Sequence, residues 1–312
     1  MQQTGQIFHK ALVIGLGLIG GSVLQGMIDN RLAGRLYAVD FDKSVIHHAM
    51  ADKLIQAGDD ELLNLANTGV LTDCDCVIIA VPAFAVKAIL EKIKTAIDNQ
   101  LLPSDVIISD TASTKGNILQ DAFAIFGELP PNLVLAHPIA GAEKSGFMAR
   151  NGALFKSHKL IICPHDFNDK QAVDKIATLW QSLGASVDFM PSDKHDEILA
   201  LTSHLPHLLS YALTYQLATD EENLNIFKYA GGGFRDFSRI SASSPIMWHD
   251  IFLANKQAVL QGLEDYQAIL NQLKADIEND NSEKLLETFE IAKNAREYFG
   301  RLLVEKEKLK NL

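Results

Sequence analysis

Several groups of residues have types and spacings that could carry chemistry. The first is Gly15-Leu16-Gly17-Leu18-Ile19-Gly20, which follows the apolar run Ala11–Ile14 and precedes a helical stretch from Gly21. In a Gly-x-Gly-x-x-Gly turn the first glycine permits the tight turn and the second lets backbone approach a pyrophosphate. The third lets helix and strand pack closely. Free N–H groups at the start of the helix then hold the phosphates. Asp40 closes the next apolar run, Leu36–Val39, where a carboxylate would accept hydrogen bonds from the adenosine ribose hydroxyls. A carboxylate there repels a 2′-phosphate, so the pattern predicts NAD rather than NADP, with Lys43 near enough to leave some tolerance of NADP. A plain turn residue is the alternative for Asp40. Val81 and Pro82 end a further run, where the nicotinamide half would pass, unless Pro82 merely stops a strand.

A second group suits proton transfer and the binding of an anion. His137 directly follows the run Leu133–Ala136, so a rigid element would aim its imidazole into a cleft. With an ordinary pKa near neutrality it can accept a proton at working pH, a satisfied structural histidine being the competing reading. Ser113 precedes a helical stretch and could be its N-cap, and Lys115 reads as surface charge or remains unassigned. Between Lys228 and Arg239 the cations Lys228, Arg235 and Arg239 are opposed only by Asp236, in a chain that is otherwise acidic. That local reversal of sign is what an anionic substrate requires. Arg239 is the candidate for a carboxylate, which a guanidinium grips through two parallel bonds, while Arg235 reads as a structural ion-pair partner. Gly232, central in a triple glycine, lets backbone approach a ligand or a neighbouring subunit.

His204 and His207 are three apart and share a helix face. Their spacing would suit a metal, but neither a carboxylate nor a third histidine completes a ligand set, and none is expected. His207 is assigned to the substrate side; His204 could equally make an interdomain hydrogen bond. Trp248 is placed at the cleft or a dimer interface, with simple apolar burial as the alternative. Glu143, Asp196 and Asp236 are candidates for a charge network around Arg239.

The elements that must position these residues change character along the chain. Ala11–Ile14, Leu36–Val39, Val77–Val81, Val106–Ser109 and Leu133–Ala136 read as strands, and such continuous apolar runs suit a parallel sheet covered on both faces. Helical stretches such as Gly21–Asn30, Ser44–Ala51 and Ala85–Thr95 lie between them. Leu160–Cys163 and Ser186–Met190, separated by Lys170–Leu183, look like a last excursion of the same domain. The alternation predicts an α/β fold, a Rossmann-type doubly wound and mostly parallel sheet. After Pro191 only helical periodicity remains: Ile198–Leu217, bent at Pro206, then Ile251–Ile277 and Ser282–Lys308. The expected organisation is a dinucleotide-binding domain over 1–190 and an all-α domain for substrate and dimerisation over 191–312. Long apolar helices of this kind often pack against a second copy, which predicts a homodimer.

Bulk properties agree. A chain of 312 residues can bury a large core, and 47% apolar with 21% charged residues is ordinary for a soluble globular protein. A net charge of -11 argues against nonspecific nucleic-acid binding and against adhesion to an anionic membrane. Cys74, Cys76 and Cys163 match no zinc spacing and read as buried free thiols. The first ten residues lack a signal-peptide layout, so a cytoplasmic location is expected.

The segments Asp110–Gly116, His137–Gly141 with Glu143–Gly146, Ser203–His207 and Gly231–Ile240 together resemble the prephenate, arogenate and cyclohexadienyl dehydrogenases. The resemblance runs from about Leu12 to Trp248. It implies NAD-dependent oxidative decarboxylation of prephenate to 4-hydroxyphenylpyruvate, and of arogenate to tyrosine. His137 would take the proton of the ring hydroxyl, Ser113 would bond the same hydroxyl, and Arg239 would hold the ring carboxylate. Tyrosine would be a feedback inhibitor. The rivals are a dehydrogenase or reductase of another small acid using Lys194, and a non-catalytic NAD sensor. Neither gives His137 and Arg239 a task.

Overall fold

The computed structural model describes residues 5–141, 144–219 and 223–310. By its internal contacts the chain groups into two compact units, Met1–Lys256 and Gln257–Leu312.

The first unit is built on strands β1 (Phe8–Ile14), β2 (Ala33–Val39), β3 (Ala57–Asp59), β4 (Cys76–Ile79), β5 (Ile107–Asp110), β6 (Leu133–Ile139), β7 (Lys159–Cys163) and β8 (Ser186–Phe189). Helices α1 (Leu18–Asp29), α2 (Lys43–Ala51), α3 (Leu62–Asn67), α4 (Ala85–Asp98), α5 (Gly116–Phe126) and α6 (Lys170–Ser182) connect them. The strands form one sheet in the order β3-β2-β1-β4-β5-β6-β7-β8. All neighbouring pairs are parallel except β6 with β7. Chain order reverses between β1 and β4, which is where an open α/β sheet leaves a crevice for a ligand.

Alternating side chains explain the apolar runs. On one face Val13, Ile78, Val134 and Ile162 pack with Leu24 of α1 and Trp180 of α6. On the other, Leu12, Ile14, Val77, Ile108 and Leu135 pack with Leu90 of α4 and Ile118 of α5. A strand buried on both faces has no polar alternation to show. The thiols of Cys74, Cys76 and Cys163 are free and buried, as expected, and burial pushes those of Cys74 and Cys163 up to about 12. No helix among the described residues is long and apolar enough to cross a membrane.

Three local expectations are corrected. His137 lies within β6 rather than after it, because β6 continues by pairing His137 with Ile161 and Ile139 with Lys159 of β7. The stretch expected as one helix over Ile198–Leu217 is α7 (Ser192–Leu199), a π-helical turn at Ala200–His204, and α8 (Leu205–Ala218). Pro206 has no N–H to continue the ladder, and the preceding Leu205 N–H reaches back to the carbonyl of Ala200. A short α9 (Gly232–Ser238) and a 3-10 turn (Arg239–Ala242) follow. The expected helix Ile251–Ile277 is α10 (Pro245–Ala254) and α11 (Lys256–Glu278), interrupted at Asn255, whose φ of -108° and ψ of 33° are not helical. The last helix, α12, spans Ser282–Lys310.

Candidate active site

The glycine turn joins β1 to α1 at the reversal point of the sheet. Gly15 has φ +88°, and a Cβ there would lie 2.7 Å from the Ala80 carbonyl oxygen. A Cβ on Gly20 would lie 1.8 Å from the Gly15 oxygen, so the turn closes only without side chains at these positions. Gly17, the N-cap of α1, differs: a Cβ there would meet nothing within 4 Å. The open space in front of Gly17 adjoins a helix start that has no side-chain cap and no acid in its first turn. A pyrophosphate fits that cradle in space and in sign. Leu16 turns its side chain into the core, while Leu18, Ile19 and Val81 are half-buried and Pro82 is exposed.

Asp40 has a role beyond the one its position suggests. One carboxylate oxygen accepts the Leu16 N–H at 2.6 Å and the other accepts the Asp42 N–H at 2.9 Å. It therefore ties the glycine turn to the end of β2. Lys43 pairs with Asp60 at 3.4 Å.

His137 sits at the same carboxyl edge, on β6, and is almost fully buried. Its Nδ1 is 2.8 Å from Nε2 of His195, whose own Nδ1 is 2.8 Å from Asp196 Oδ1. Nε2 of His137 has no hydrogen-bond partner among the described residues. Burial, the neighbouring His195 and the charge of Lys115 push His137 well below the usual histidine range, so it rests neutral with a lone pair on one ring nitrogen. His195 was not visible as a candidate in the sequence, since nothing local marks it; its position one residue before Asp196 on α7 is the only signal.

Several candidates change role. Lys115 is fully buried, not surface charge: its ammonium pairs with the Asp110 carboxylate and donates to the Ala136 carbonyl at 2.8 Å. Ser113 does not cap α5. That helix starts at Gly116, and its first amides are bound by Asp196, from Lys115 at 2.9 Å and from Gly116 at 2.8 Å. Ser113 is half-buried on the β5–α5 connection and makes no hydrogen bond among the described residues. Asp196 thus belongs to His195 and α5, not to a network around Arg239. Asp236 pairs with Arg235 at 3.0 Å, and Glu143 lies outside the described residues.

The helical elements bring the remaining candidates together. His207 stacks on Trp248 with ring centroids 3.7 Å apart, and its Nδ1 donates to the Ser203 carbonyl at 2.8 Å, while Nε2 has no hydrogen-bond partner among the described residues. Burial lowers its pKa, and the nearby Arg239 guanidinium adds to the effect. Trp248 is buried against His204, His207 and Phe252, and its indole N–H has no partner among the described residues. His204 is buried on Asn255 at 3.2 Å. Arg239 is exposed and makes no ion pair among the described residues. The turn that carries it is fixed to α8 by Ser210 on the Phe237 carbonyl at 2.8 Å and Tyr211 on the Ser243 carbonyl at 2.7 Å. Gly232 is exposed at the start of α9. No hydrogen bond or ion pair joins Arg239 or Gly232 to His137 among the described residues, and no group there could hold a metal ion.

Comparison with known proteins adds to this geometry. Residues 29–189 match the family model described as prephenate dehydrogenase, nucleotide-binding domain, and 191–291 match prephenate dehydrogenase, dimerization domain. A cyclohexadienyl dehydrogenase of Zymomonas mobilis subsp. mobilis is 32% identical over 298 residues, covering 93% of this chain and 96% of the relative. A prephenate dehydrogenase of Bacillus subtilis is 32% identical over 296 residues, covering 94% of this chain and 76% of the relative. Among solved structures, prephenate dehydrogenase from A. aeolicus in complex with hydroxyphenyl propionate and NAD+ superposes with a TM-score of 0.83. It is 32% identical and covers 92% of this chain and 97% of its own.

Proposed function

The chain belongs to the prephenate dehydrogenase family, and from that premise we propose that it catalyses the NAD-dependent oxidative decarboxylation of prephenate to 4-hydroxyphenylpyruvate. Arogenate is proposed as a second substrate, since it differs from prephenate only where a keto group is replaced by an amino group. Residues 1–190 bind the dinucleotide and 191–312 supply substrate contacts and the contact surface of a homodimer. Tyrosine, which resembles the product, is proposed to compete with substrate.

The cofactor is held by the turn Gly15–Gly20, with Gly17 under the pyrophosphate, Asp40 at the ribose, and Val81 and Pro82 beside the nicotinamide. NAD, when bound there, supplies the acceptor for the hydride lost from the ring carbon that bears the hydroxyl. His137 takes the proton of that hydroxyl at Nε2. As the bond from ring to carboxylate breaks, carbon dioxide leaves, the ring becomes aromatic and the imidazolium can return its proton to the phenolate oxygen. Ser113 bonds the same hydroxyl and holds it against His137. Arg239 grips a substrate carboxylate, which its freedom from any ion pair among the described residues allows. His207 and Trp248 form the apolar and hydrogen-bonding wall, with His204 supporting them and Gly232 keeping that approach open.

The observation that carries the proposal is a neutral, buried His137 with its Nε2 unengaged at the carboxyl edge where the glycine turn also lies. Steady-state kinetics with prephenate and arogenate, each with NAD and NADP, test it together with His137→Asn. The variant should bind NAD normally and lose on the order of 100-fold or more in kcat. Near-normal kcat would remove His137 from the reaction. Light scattering of the purified protein checks the dimer.

A further inference from the structure

We propose that His195 is a positioning residue for this reaction: anchored by Asp196, it holds His137 in the one tautomer that carries its proton on Nδ1 and leaves Nε2 bare for the substrate's proton. The inference rests on the reading of His137 as proton acceptor and adds a reason why that histidine presents a lone pair and not an N–H.

The order of protons is set outward from Asp196. Its carboxylate receives the Lys115 N–H at 2.9 Å, the Gly116 N–H at 2.8 Å and the His195 ring at 2.8 Å. Both backbone groups are donors that cannot reverse, so the carboxylate must act as an acceptor. Burial pushes this carboxyl up, but the bonds from His195, Gly116 and Lys115 outweigh it and hold it below the ordinary carboxylate range. An ionised acceptor fixes the proton of His195 on Nδ1. In a neutral imidazole the other nitrogen then has only a lone pair. His137 Nδ1 lies 2.8 Å from that nitrogen and has to donate into it. With its one proton so committed, His137 Nε2 can only accept.

Among the described residues, no other group hydrogen-bonds the His137 ring. His195 is 0% exposed, so water cannot stand in for it, and the two rings meet edge to face at 66°. The Asp196 main-chain carbonyl accepts the Asn255 amide at 2.8 Å, which fixes α7 against the residue that ends α10. When His137 becomes an imidazolium, its charge is one ring away from the Asp196 carboxylate. The opposite tautomer would confront the substrate hydroxyl with a donor, and proton abstraction would stop.

The deciding measurement is a long-range proton–nitrogen spectrum of the native protein with 15N-labelled histidine, with and without NAD. The His137 signals are identified by their loss in His137→Asn. Protonation of His137 at Nδ1 is expected; protonation at Nε2, read on the native protein, overturns the proposal. Two substitutions extend the test. His195→Leu removes the acceptor, should give mixed tautomers of His137, and should lower kcat on the order of 100-fold with KM for prephenate within about twofold. His195→Gln keeps a carbonyl for His137 Nδ1 and should recover about tenfold of that loss. Loss of activity in His195→Leu with His137 still protonated on Nδ1 would make His195 merely structural and sink the idea, as would unchanged kcat. An active His137→Asn enzyme would instead sink the parent reading, so the two failures are separable.

Discussion

Gly20 backs onto Gly15 so closely that a methyl group on Gly20 would lie 1.8 Å from the Gly15 carbonyl oxygen. Gly17, between them, faces open space at the start of α1. The glycines of one turn thus differ: Gly15 and Gly20 let the turn exist, and Gly17 keeps the space before α1 open.

Substitution separates these roles. Gly20→Ala must displace the turn, lowering both thermal stability and NAD affinity. Gly17→Ala should fold with an unchanged Tm yet weaken NAD by roughly tenfold or more, because its methyl occupies the phosphate approach. Calorimetric titration with NAD decides the matter; wild-type affinity in Gly17→Ala would show that the pyrophosphate does not sit there.

Asp40 holds the glycine turn, and its proposed role in cofactor choice can be tested separately. Asp40→Asn retains one acceptor oxygen where the carboxylate has two for Leu16 and Asp42, and it removes the charge that repels a 2′-phosphate. NAD affinity should fall about tenfold while the preference for NAD over NADP narrows. Paired kinetics with the two cofactors read this directly, and an unchanged ratio would assign Asp40 to the turn alone.

The Lys115–Asp110 pair is fully buried under the edge that carries His137. Removing one partner leaves an uncompensated charge in the core, so Lys115→Met should cost about 3–5 kcal/mol of stability. Urea unfolding measures it. The double variant Lys115→Met with Asp110→Leu should recover part of the loss, since no buried charge is then stranded.

His204 links stability to pH. Burial lowers its pKa from 6.5 to about 4 in the folded chain. Between these values the unfolded chain binds a proton that the folded one does not, so stability falls as pH drops from 6.5 towards 4 and is intact above that window. His137 acts in the same direction. Within the window each such group contributes a slope of up to about 1.4 kcal/mol per pH unit. His204→Asn should flatten the slope between about pH 6.5 and 4 by the share of one group. An unchanged slope would show that His204 is already charged in the fold.

Much of the site's first half is local and therefore readable in order. The glycine spacing, the strand before it and Asp40 at the end of the next strand all lie within a short stretch, and a phosphate turn depends on backbone freedom that residue type alone reports. The continuous apolar runs likewise declare a sheet covered on both faces. Element edges were less legible. The extension of β6 through His137 depends on β7 being its neighbour, and the breaks at Ala200–His204 and Asn255 depend on hydrogen bonds that periodicity does not express.

By itself, then, the sequence supplied a Gly-x-Gly-x-x-Gly turn after an apolar run, an acid closing the next run, and a histidine and an arginine as candidates in an acidic chain. Only the tertiary structure decided that Lys115 is buried on Asp110 and that Asp196 caps α5 and not Arg239. The same holds for the contact of His137 with His195, 58 positions along the chain. The physical reason is that a side chain's charge state and tautomer are set by its neighbours in space. For Asp196, His195 and His137 the neighbours arrive only when α7 folds onto β6 and the start of α5, and for Lys115 when β5 and β6 lie side by side.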